Sequence, residues 1–74
     1  MTPLKKIVSK VLGIEENMVR PELSRENTSE WDSFNHLLLI SEVEKAMNIR
    51  FTMEEVGAIK NFEQLEKTAE KHAK

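Results

Sequence analysis

The 74-residue chain contains no cysteine. A disulfide framework, a cysteine-based zinc site and a protein thiol nucleophile are therefore excluded. It has no apolar run near the roughly 20 residues that span a bilayer. The segment from Met1 to Lys6 lacks the sustained apolar stretch of a signal peptide. An excess of one charge is missing too: 11 Lys and Arg oppose 13 Asp and Glu, for a net charge of −2. That balance argues against a binder that lives by neutralising nucleic-acid phosphates, including a small helical DNA-binding domain. Glu15–Glu16 and Glu54–Glu55 follow no calcium-loop pattern, so no metal site is expected. There is no repeat, no low-complexity tract and no phosphate-cradling glycine loop. With no acid–base pair evident either, the expectation is a non-enzyme. A soluble, cytoplasmic chain of one domain over residues 1–74 is expected, with no membrane insertion and no nucleic-acid partner.

What is present is helical periodicity. Leu4, Ile7, Val8, Val11 and Leu12 form one apolar stripe, which predicts a helix from about Pro3 to Leu12. Thr2 suits its N-cap, Pro3 its first position and Gly13 its left-handed end. Residues 13–32 show no long helical pattern; Pro21 and several Asn, Ser and Thr residues favour turns. Ile14, Met18 or Val19, Leu23 and Trp31 are the expected anchors of this loop. A connection this long is often functional.

A second helix is predicted from about Ser33 to Met47. Leu39, Ile40, Val43, Ala46 and Met47 share its core side, while Phe34, Leu37, Leu38, Ser41, Glu44 and Lys45 cover much of the other. A short helix over about Met53–Ala58 has capping-box spacing at Thr52 and Glu55; one over about Phe62–His72 has it at Asn61 and Gln64. The fold class is all-α: a small four-helix bundle with a long loop between helices 1 and 2 and a short helix 3. Met18, Met47 and Met53 read as core packing, and His36 and His72 as surface or boundary residues without partners.

The sharpest local feature is Trp31-Asp32-Ser33-Phe34, where the loop meets the second helix. Asp and Ser are common caps, so the dipeptide alone means little. Its surroundings add more. Residues 32–56 run through Asp32-Ser33-Phe34, an amphipathic helix, and Ile49-Arg50-Phe51-Thr52-Met53-Glu54-Glu55-Val56. Together with Val11-Leu12-Gly13-Ile14 and Ile59-Lys60-Asn61-Phe62, this resembles the acyl carrier proteins over nearly the whole chain.

The resemblance implies that Ser33 carries 4′-phosphopantetheine, added by a phosphopantetheinyl transferase from coenzyme A. The arm's thiol would hold an acyl group as a thioester, supplying the sulfur that the chain lacks. It further implies docking of acyl-loading and acyl-accepting enzymes at Asp32, Phe34, Leu37, Leu38, Ser41, Glu44 and Val56. Asp32 would order the junction and help the transferase recognise it. Carriers of fatty-acid synthesis are strongly acidic along the second helix. Here Asn35, His36 and Leu38 occupy its first turns, which fits a dedicated carrier of a specialised lipid or polyketide-like pathway. The alternative is a cofactor-free helical interaction module built on Leu37 and Leu38.

Overall fold

The computed structural model describes residues 4–73, so the expected Thr2 cap and Pro3 lie outside the described residues. Four α-helices follow in order: α1 (Leu4–Leu12), α2 (Ser33–Met47), α3 (Met53–Ala58) and α4 (Phe62–His72). Among the described residues there is no strand; an isolated antiparallel bridge joins Ser24 to Asn61.

Each helix starts and stops for a local reason. Gly13 takes a φ of +70° after α1, and its N–H reaches the Ser9 carbonyl at 2.9 Å. Asn48 does the same work after α2 at φ +55°, one of the few non-glycine side chains that tolerate this region. Thr52 and Glu55 form a complete capping box on α3. At α4 the expected box is modified. Asn61 accepts from the Gln64 N–H at 2.8 Å, but the Gln64 side chain accepts from Lys60 N at 2.8 Å, one residue further back.

The buried core draws on α1, α2, α4 and the loop, with Val56 of α3 packed half-buried against it. Leu4, Val8 and Leu12 of α1 meet Leu39, Ile40 and Val43 of α2 and Phe62, Leu65 and Ala69 of α4, with Ile59 between α3 and α4. The long loop contributes Val19, Leu23 and Trp31, all buried. Of the other expected anchors, Ile14 is half-buried and Met18 is 56% exposed, because the 3₁₀ turn at Glu16–Met18 turns its side chain out and Val19 inward. Met53 is 91% exposed, so only Met47 of the three methionines packs against the core. Ala46 is also exposed: the fully buried stripe of α2 ends at Val43, and the last turn runs beyond it.

His36 departs most from the sequence-based expectation. It is 4% exposed and holds two partners. The Trp31 indole Nε1–H donates to its Nδ1 at 2.9 Å, and its Nε2 lies 2.8 Å from the Val56 carbonyl oxygen. A ring nitrogen that accepts carries no proton, so the proton sits on Nε2 and is donated to Val56. The ring thus links the loop, the start of α2 and α3. His72, likewise expected to lack a partner, lies 2.7 Å from a carboxylate oxygen of Glu55.

Candidate functional site

Ser33 is the first residue of α2 and is exposed. Asp32 precedes it with extended backbone and accepts from the Asn35 N–H at 2.8 Å, as an N-cap should. Asn35 returns the favour to the loop by donating to the Glu30 carbonyl at 2.8 Å. The cap therefore fixes the junction from both sides. Ser33 and Phe34, at the first two helical positions, have no carbonyl four residues back within α2. Their N–H groups and the positive end of the helix dipole favour an anion at Ser33.

One wall of the site is the loop itself. Ser33 borders an open groove of about 790 Å³ that runs between the loop and the start of α4, with Arg25, Trp31, Lys60 and Gln64 along it. The loop is attached to α4 by backbone hydrogen bonds. Phe62 N donates to Leu23 O at 2.8 Å, and Arg25 N to Lys60 O at 3.0 Å. From that frame the Arg25 Nη2 reaches the Ser33 hydroxyl at 3.5 Å. Neither Arg25 nor Lys60 announces itself in the sequence; only the packing of loop on α4 brings them beside Ser33. A serine–histidine pair is absent here, since both nitrogens of His36 are engaged by Trp31 and Val56.

The other expected residues divide into groups. Phe34 is 74% and Leu37 62% exposed, one turn apart on α2. Leu38 is partly exposed and borders a second groove, of about 630 Å³, with Ile7 and Val11 of α1. Ser41 is exposed at a smaller groove near the end of α2. Glu44 and Val56 have structural duties: the Glu44 carboxylate accepts from Phe51 N at 2.8 Å, and Val56 packs half-buried against the core. Met53 adds an exposed apolar side chain at the start of α3. Its one visible signal in the sequence is an apolar residue immediately after the capping Thr52.

Beside these groups, Glu55 has a clearly shifted acidity. Its carboxyl is lowered from 4.5 to about 2, chiefly by the hydrogen bond from Thr52 N, then by the hydrogen bond and charge of His72 and the charge of Lys71. This cluster belongs to the joint between α3 and α4 and lies apart from the Ser33 groove.

No protein-family model and no curated protein matches the sequence. Solved structures do. The solution NMR structure of holo acyl carrier protein from Geobacter metallireducens is 27% identical, with a TM-score of 0.84 over 97% of this chain and 86% of that one. The chain has the acyl carrier protein fold. That is the fold of a carrier rather than of a catalyst. The long loop of this chain supplies three core residues and one wall of the groove. Among the described residues no group of three or more His, Asp and Glu could hold a metal, and no helix is long and apolar enough to cross a membrane.

Proposed function

We propose that this chain is an acyl carrier whose Ser33 is esterified with 4′-phosphopantetheine. The observation that carries the reading is an exposed serine at the first position of α2, beside an open groove, in a chain that is similar over 97% of its length to a holo acyl carrier protein. The residues suit the group. The hydroxyl is accessible, the helix end favours the phosphate, and Asp32 holds the junction rigid through Asn35.

In the loading step the Ser33 Oγ attacks the pantetheine-side phosphorus of coenzyme A. The new Oγ–P bond forms as the P–O bond to adenosine 3′,5′-bisphosphate breaks, and the serine proton is lost to the transferase or solvent. Once attached, the arm supplies a thiol that holds an acyl group as a thioester. The chain's part is presentation: tethering raises the local concentration of the acyl group at each enzyme. Phe34, Leu37 and Leu38 form the apolar part of the docking surface, with Asp32, Ser41, Glu44 and Val56 around it. A nearly neutral α2 supports a dedicated carrier of a specialised lipid or polyketide-like pathway, working as a cytoplasmic monomer.

Intact-protein mass spectrometry tests this after incubation with coenzyme A and a broad-specificity phosphopantetheinyl transferase. The parent gains one phosphopantetheine and Ser33→Ala gains none. A parent left unmodified, where a known carrier is fully converted, overturns the reading in favour of a cofactor-free interaction module.

A further inference from the structure

Arg25 stands in an unusual position. Its backbone is fixed twice: by its N–H to the Lys60 carbonyl at 3.0 Å, and by the turn it occupies. In that turn Ser24 N donates to Asn27 Oδ1 at 3.0 Å, Asn27 N donates to Ser24 Oγ at 3.2 Å, and Asn27 Nδ2 donates to the Glu22 carbonyl at 3.1 Å. A rigid turn of this kind aims a side chain. Arg25 is half-buried, and among the described residues no carboxylate lies within ion-pair distance of it. Its one side-chain partner is the Ser33 hydroxyl, at 3.5 Å, the long limit of a hydrogen bond. A guanidinium fork aimed at a neutral hydroxyl is only partly used. An anionic oxygen would give shorter, charge-assisted bonds.

We infer that Arg25 is a phosphate-holding residue, placed to grip the phosphodiester that Ser33 carries; the inference rests on the function proposed above. A phosphodiester on Oγ puts two non-bridging oxygens two bonds beyond the atom that Arg25 already reaches. The planar guanidinium can meet both, which a lysine at the same position cannot. Lys60 borders the groove as a second cation. Two carboxylates border it as well. Asp32 gives one oxygen to the Asn35 N–H but keeps its charge, so Asp32 and Glu26 both oppose the phosphate and the two cations have to outweigh them. Arg25 is thus a positioning residue: it acts through the phosphate and takes no part in the thioester chemistry.

The test uses the full chain in apo and holo forms. The parent, Arg25→Gln and Arg25→Lys are each loaded with excess transferase and coenzyme A until the mass gain is complete. They are then compared by phosphorus NMR and by thermal unfolding. In the parent, loading raises the melting temperature by about 3 °C, the scale of one partly exposed charge-assisted contact in a domain this small. Salt diminishes that gain. Arg25→Gln abolishes the gain and moves the phosphorus resonance, while its apo form melts with the apo parent. Arg25→Lys retains a salt-sensitive part of the gain. Complete loading with the same phosphorus resonance and the same apo-to-holo difference in Arg25→Gln as in the parent overturns the inference and leaves the carrier reading standing. A parent that gains no mass overturns both, and the mass measurement tells the two failures apart.

Discussion

At the scale of the residue, His36 shows how much one side chain can decide. It closes the distance between a loop tryptophan and a carbonyl of α3 with one buried and one partly buried hydrogen bond. Among the described residues no buried side-chain nitrogen or oxygen lacks a partner, so this pair has nothing in reserve. Removing the ring leaves the Trp31 N–H and the Val56 carbonyl unmatched, at about 1–3 kcal/mol for each buried group. His36→Ala is expected to cost about 3 kcal/mol, some of the loss being recovered by water. Trp31→Phe removes one donor and keeps most of the packing, and should cost about 1 kcal/mol. Urea unfolding of both variants and of their double mutant measures the coupling. Additive losses would mean that the Trp31–His36 bond contributes nothing of its own. The sequence gives no sign of this arrangement. Trp31 lies outside the helix that carries His36, and Val56 is 20 positions further on, so the contact exists only once α3 has packed.

At the scale of the element, the junction between α3 and α4 rests on the polar contacts of one side chain. α3 spans six residues and buries none of them fully, so its packing alone is a weak hold. Glu55 compensates. It completes the capping box with Thr52 and accepts from or pairs with His72 at 2.7 Å and Lys71 at 3.6 Å. Its carboxyl is lowered to about 2 from an ordinary 4.5, the Thr52 N–H being the largest cause. A carboxyl that binds its proton less tightly when folded stabilises the fold fully above its unfolded value. The contribution fades as pH falls from about 4.5 through about 2. Urea midpoints taken across that range should fall more steeply in the parent than in Glu55→Gln, which keeps an acceptor for Thr52 N but has no charge to lose. Parallel acid limbs would show that Glu55 is not the group being titrated.

The same scale explains what could be read in advance. Periodicity and caps are local, and α2, α3 and α4 have the expected limits. Helix faces are less local. Ala46 continues the apolar stripe of α2 by angle, yet no neighbour extends far enough to cover it. Met53 and Met18 are apolar in composition but exposed in the fold, because one follows a cap and the other sits in a 3₁₀ turn. Ser33, the proposed attachment residue, is legible through its motif. Arg25 is not, since its approach to Ser33 depends on backbone bonds between the loop and α4.

At the scale of the whole molecule, charge is unevenly spread. Three of the 11 cations lie on α1, which has no carboxylate; the other eight and all 13 acidic residues lie elsewhere in the sequence. α2 itself holds Glu42, Glu44 and Lys45, and the Glu44 carboxylate is already bound to Phe51 N. The proposed docking helix therefore projects little net field, while Phe34 and Leu37 stand largely exposed on it. Electrostatic steering acts mainly on the rate of encounter and weakens with salt; buried apolar anchors act mainly on the lifetime of the complex. For this chain the second effect should dominate. Raising sodium chloride from about 0.05 to about 0.5 M is expected to change the transferase kcat/KM for the apo carrier by less than about threefold. Leu37→Ala should lower it about tenfold, the effect of one anchor worth about 1.4 kcal/mol. Its melting temperature should stay unchanged, because the side chain is 62% exposed. A steep salt dependence together with an unaffected Leu37→Ala would shift recognition to the charged residues around Asp32 and away from the apolar face of α2.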